Sequence, residues 1–165
     1  MRMTTFIILA IAAVIADSSL APEIEILGAR PDLLVLVVVY GSLALGARPA
    51  TIAGFVMGLV ADSEMPEYLG LHALALVVIA YTFAGVWDRL VKTNVLVQCG
   101  VLLAAAMVHD VIYYGVYYRN HVDMLARFLV RVSVPGAAYT AALGALVFVL
   151  AARRGWRTFT GDARG

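Results

Sequence analysis

Apolar residues run through this chain in long blocks, and polar residues collect between them. Six blocks stand out, at about 3–21, 31–46, 49–61, 69–87, 94–118 and 132–152. Each is read as a helix, because a bilayer core leaves a lone segment no other way to satisfy its backbone N–H and C=O groups. The prolines agree with these boundaries. Pro31, Pro49 and Pro135 fall in the expected first turns of helices two, three and six, where a missing N–H costs nothing. None of the five prolines falls in the middle of a block. The third block is short. About 13 residues at roughly 1.5 Å each reach about 20 Å, less than a hydrocarbon core. It either crosses with local thinning or re-enters. The first block, with Arg2 before it and Ser19-Leu20-Ala21 at its end, also has the outline of a signal peptide. Pro22 directly afterwards, and a length of about 20 residues, favour a retained helix.

Composition turns this pattern into a membrane assignment. Apolar residues make up 63% of the 165, with mean hydropathy +0.92, against about 45–50% apolar in soluble domains. A water-facing globule of this size cannot bury the excess. The expected architecture is an all-α bundle of six transmembrane helices over 1–152, with a basic tail over 153–165. A net charge of +1 gives no argument for nucleic acid. Cys99 is the single cysteine, so no internal disulfide forms. No Cys/His spacing points to a metal or cofactor, and Cys99 is read as a small apolar residue. No Ser/His/Asp or Cys/His arrangement supports catalysis.

Charge sets the orientation. If all six blocks cross, one side carries Arg2, Arg48, Arg89, Lys92 and the arginines of the tail. The other carries only Arg30, Arg119, Arg127 and Arg131. The positive-inside rule then puts both termini in the cytoplasm. A re-entrant third block would weaken this bias, which favours six crossings.

With that topology, Asp17, Asp32, Asp62, His72, His109 and Asp110 all fall in the outer half of the bundle. An intramembrane charge costs roughly 2.5–3.5 kcal/mol on insertion scales, so such groups should turn inward and pair. They are read as a structural polar knot. A proton or ion path would need groups at several depths. His109 and Asp110 are neighbours, about 100° apart on a helix, and are not expected to form a dyad. Gly54 and Gly58, and the ridge of Gly136, Thr140 and Gly144, are read as close helix contacts. Arg119, Asp123, Arg127 and Arg131 recur every four residues and predict a short amphipathic helix at the outer surface, with Asp123 pairing Arg127. Tyr68, Tyr113, Tyr114, Tyr117 and Tyr118 form an outer aromatic belt, with Trp87 and Trp156 marking the inner interface.

The stretch 30–76 resembles the rod shape-determining protein MreD family. The resemblance rests on Arg30-Pro31-Asp32-Leu33-Leu34 and the apolar run to Tyr40, on Gly54-Phe55 with Gly58-Leu59 and Asp62, and on Leu69-Gly70-Leu71-His72-Ala73-Leu74. The turn Ser63–Tyr68 departs from the family, being acidic (Glu64, Glu67) where such turns are often glycine-rich. The resemblance implies a non-enzymatic membrane subunit of the bacterial elongation machinery. It implies pairing with MreC, and through the complex with RodA, a class B penicillin-binding protein and, indirectly, the MreB filament. It also implies a fold similar to the substrate-binding subunits of energy-coupling-factor transporters. Two other readings stay open. One is a vitamin-binding transporter subunit docking through Ala12 and Ala16. The other is a small ion or proton conductor.

Overall fold

The computed structural model describes residues 3–19, 23–25, 28–63, 65–90 and 95–153. The described residues are helical apart from short connections. The helices are α1 (Met3–Ser19), α2 (Leu33–Leu45), α3 (Ala47–Asp62), α4 (Leu71–Leu90), α5 (Val95–Tyr117), α6 (Val122–Phe128) and α7 (Val134–Arg153). Pro66–Tyr68 form a 3-10 turn before α4. Arg2, Lys92, Trp156 and the tail beyond 153 lie outside the described residues, as do the side chains of Trp87 and Arg89.

The central helix is α2. Leu34, Val35, Val38 and Val39 are fully or almost fully buried, and the helix touches α1, α3, α4, α5 and α7. That explains why its sequence is apolar on every side. Around it pack Leu76, Ile79 and Ala80 of α4, Leu102 and Ala105 of α5, and Ala137 and Ala141 of α7. The surrounding helices are apolar outside as well. α1 exposes Ile7, Ile8, Ile11 and Ile15, and α3 exposes Ile52, Phe55, Val56 and Val60. Such outward faces suit a hydrocarbon solvent. By length and composition alone, α5 and the continuous run Val122–Leu150 are long and apolar enough to cross a membrane.

The expected boundaries shift in three places. First, α2 opens at Leu33 rather than at Pro31, because the Asp32 carboxylate accepts from the Val35 N–H at 2.8 Å and caps the helix. Second, α2 (13 residues) is shorter than α3 (16 residues), so α3 is not the shortest of the bundle helices. The two are joined by Gly46 alone, whose φ of 89° only glycine adopts readily.

Third, the expected break before helix six is absent. α6 runs through a π-helical turn, Leu129–Ser133, straight into α7. Pro135 therefore lies inside a continuous helix and not in a first turn. Proline cannot donate to the carbonyl four residues back, and its ring crowds that carbonyl. The turn widens ahead of it, with the Val134 N–H reaching back to the Leu129 carbonyl.

Helix directions alternate. The end of α1, the start of α2, the end of α3, the start of α4, the C-terminal half of α5 and the start of α7 meet at one end of the bundle. The contacts that place them there are polar.

Candidate functional site

Asp62 closes α3 and is 1% exposed. Its two oxygens face the start of α4. Oδ2 accepts from the Gly70 N–H (2.8 Å) and the Ala73 N–H (3.3 Å). Oδ1 accepts from the His72 N–H (3.1 Å) and lies 2.8 Å from His72 Nδ1. This buried carboxylate therefore caps the next helix. α4 needs that, since Leu69-Gly70 offers no side-chain cap of its own. Negative charge at a helix N-terminus is also favourable to the helix dipole.

From His72 the cluster continues to α5. The His72 ring stands 5.3 Å from His109 and 4.1 Å from Tyr113, centroid to centroid. His109 is 5% exposed. Its Nδ1 lies 2.9 Å from Asp32 Oδ2 at the start of α2. It lies 3.5 Å from Asp110 Oδ1. This corrects the expectation that His109 and Asp110 stay apart. Adjacent residues diverge on a helix, but both side chains here bend toward the start of α2. Asp17 of α1 faces the same place, within electrostatic reach of Asp32, His109 and the Leu33 N–H. The six polar residues singled out from the sequence thus lie together, linking α1, α2, α3, α4 and α5.

α7 joins through its backbone and one hydroxyl. Thr140 Oγ1 accepts from the Asp32 N–H (2.8 Å) and donates to the Gly136 carbonyl (2.9 Å). Thr140 stood out in the sequence only for its size. Its hydrogen bond across 108 positions is invisible there. Deeper in, the Tyr40 hydroxyl donates to the Gly144 carbonyl at 2.6 Å.

The singled-out glycines sit where helices nearly touch. A side chain on Gly54 would meet Leu76 at 3.3 Å, and one on Gly136 would meet the Arg30 carbonyl at 3.0 Å. One on Gly58 would meet the backbone of His72 and Ala73, and one on Gly144 would meet Leu102. Gly41, which no spacing marked, takes the Phe6 ring of α1 against it.

Beyond the knot lies an aromatic and charged surface. The Tyr68 and Tyr117 rings meet tilted at 5.1 Å between centroids, and Tyr114 and Phe128 likewise at 4.1 Å. Arg119, Asp123, Arg127 and Arg131 are all exposed, and Arg127 bonds Asp123 at 3.0 Å. α6 has no buried residue, and Val122 and Met124 also face outward. A groove of about 390 Å³ lies beside it, lined by Glu67, Tyr68, Tyr117, Arg119, Asn120 and His121 among others.

Much of this polarity is spent on structure. Asp62 and Thr140 are committed to backbone donors, and Asp32 to its own helix cap. Apolar helices in alternating directions, with apolar outer faces and a cluster of ionisable side chains at one end, have the arrangement of a membrane bundle. The family model for the rod shape-determining protein MreD matches residues 1–153, and the chain belongs to that family. It is a rod shape-determining membrane protein, of a family whose role is structural. No curated protein and no solved structure matches the chain.

Proposed function

We propose that the chain is a non-enzymatic subunit of the bacterial elongation complex, supporting cell shape and lateral peptidoglycan synthesis by holding other membrane proteins together. All six long helices cross the cytoplasmic membrane, and both termini lie in the cytoplasm. Its direct partner is MreC, through that protein's membrane helix and its part outside the membrane. RodA and a class B penicillin-binding protein join through the complex, and MreB indirectly. The observation that carries this reading is the family match over residues 1–153. The geometry supports it in two ways. The polar groups tie five helices and α7 into one frame, as a scaffold requires. The outer faces of α1 and α3 present apolar side chains on which a foreign membrane helix can pack without covering a polar site.

The test is co-purification in mild detergent with the MreC-like protein of the same cell, together with depletion. Rounded cells and a stable complex are expected. A chain that purifies alone, and whose depletion leaves cells rod-shaped, overturns the reading. The groove of about 390 Å³ beside Tyr117 and Arg119 favours one competitor, a small-molecule-binding subunit with a transporter-like fold. Native mass spectrometry of the purified chain separates the two, since that competitor requires a retained vitamin-sized ligand.

A further inference from the structure

The two histidines of the polar end are held differently. His72 Nδ1 has a hydrogen bond to Asp62 Oδ1 at 2.8 Å. His109 Nδ1 has two carboxylate oxygens at 2.9 and 3.5 Å, yet it makes no hydrogen bond to either. Neither oxygen lies along the direction in which the ring nitrogen bonds. They flank it. Nε2 on the far side of the ring is also buried and makes no hydrogen bond. A buried imidazole with neither ring nitrogen in an aligned hydrogen bond is costly as an ordinary polar contact.

A metal ion resolves this arrangement. Asp32 Oδ2, His109 Nδ1 and Asp110 Oδ1 each offer one ligand atom, and the ligand atoms lie within 4.8 Å of one another. Bonds of about 2.0–2.2 Å to a divalent ion set neighbouring ligands roughly 3.0–3.5 Å apart, close to the two separations at His109. Charge points the same way. Asp17, Asp32 and Asp110 lie around His109, and among the described residues no Lys or Arg reaches ion-pair distance of any of them, with Arg30 acting on Asp17 from further off. A dication would balance the two carboxylates that face the ring, Asp32 and Asp110. The carboxylates are about one-fifth exposed, so an ion can enter from the end of the bundle.

We propose that Asp32, His109 and Asp110 form a divalent metal site at the polar end, binding a first-row transition ion such as Zn2+ or Mn2+ through one imidazole and two carboxylates. One imidazole with two carboxylates suits these ions better than Mg2+ or Ca2+, which take oxygen. The ion would tie α5 to the start of α2, complementing the Asp62 cap between α3 and α4.

The experiment uses the full chain without a histidine tag, purified in detergent, stripped with a chelator and dialysed against Zn2+. The expected result is one bound ion per chain, with affinity falling about tenfold or more in Asp110→Asn and His109→Gln. Asp123→Asn, in the exposed pair on α6, serves as the control and binds normally. Absence of stoichiometric Zn2+ in the wild-type chain, or unchanged binding in His109→Gln, overturns the site. If the variants do not fold, X-ray absorption of the Zn2+-loaded wild-type chain decides. One imidazole with oxygen ligands supports the site, and sulfur or oxygen alone overturns it.

Discussion

Gly58→Ala is the sharpest probe of the α3–α4 contact. The added carbon would lie 2.7 Å from the His72 carbonyl carbon, with the Ala73 backbone closer still. Carbon atoms pack at about 3.5–4.0 Å. The helices must therefore separate by roughly an ångström at this point, since backbone atoms cannot swing aside as a side chain does. Overpacking of this kind costs about 1–3 kcal/mol, and a backbone obstacle puts it in the upper half of that range. A second loss follows. Asp62 stands one turn further along α3, and its bonds to Gly70, His72 and Ala73 lengthen as α4 retreats. Loosening such a cap costs about 1 kcal/mol. Against this, exchanging glycine for alanine inside a helix returns about 0.5–1 kcal/mol. The net expectation is a loss of about 2–3 kcal/mol.

The chain contains its own control. A side chain added at Gly100 or Gly115, both on α5, meets nothing within 4 Å. Those alanine variants should be slightly more stable than the parent, by the same 0.5–1 kcal/mol or so. Reversible unfolding in mixed micelles, followed by far-ultraviolet circular dichroism, measures all three. A gap of about 3 kcal/mol between Gly58→Ala and Gly100→Ala is expected from these terms together. Equal stability of the two would refute the close approach of α3 to α4. Gly58→Ala should also be non-additive with Asp62→Asn, because both act through the start of α4.

Other substitutions test the polar end one bond at a time. Asp62→Ala strips the start of α4 of its charged acceptor and should cost about 3 kcal/mol or more. Asp62→Asn keeps one acceptor oxygen and should cost about 1–2 kcal/mol in the same unfolding assay. Thr140→Val keeps the shape but leaves the Asp32 N–H without its acceptor, so a loss of about 1–3 kcal/mol is expected. A smaller change than that in thermal unfolding would argue against contact between α2 and α7 at this point. Asp123→Ala breaks an ion pair whose side chains are 63% and 71% exposed, and stability should change by less than about 0.5 kcal/mol.

The fold was legible where one interaction dominates. Burial of apolar blocks sets the number of long helices, and the blocks carry enough contrast to mark most ends. It fails at Pro135, because a proline suits the first turn of a new helix, and a π-helical turn ahead of it instead lets the preceding helix run on. The start of α2 differs for a related reason. Pro31 and Asp32 both suit a helix start, and only the geometry shows that the carboxylate caps it.

The polar end was legible as a set of residues but not as a set of bonds. Topology alone gathers Asp17, Asp32, Asp62, His72, His109 and Asp110, since alternating helices bring those positions to one end. Which carboxylate meets which histidine depends on helix rotation and on approach distances, and neither leaves a local mark. One trace of the bonds is present in the sequence. Leu69-Gly70-Leu71 begins a helix with no Ser, Thr, Asp or Asn to cap it, so the cap had to come from elsewhere in the chain. The nearest buried carboxylate, Asp62, supplies it. The same logic separates the two histidines. His72 sits beside a helix start whose free N–H groups fix the Asp62 carboxylate in place, so the carboxylate is aimed at the ring. His109 lies inside α5, where no free backbone N–H orients the Asp110 carboxylate. Asp32 is aimed by its own helix, with Oδ1 bound to the Val35 N–H and only Oδ2 left over for the ring. The result is that the His109 Nδ1 has two carboxylates near it without an aligned hydrogen bond, whereas the His72 Nδ1 is bonded to Asp62.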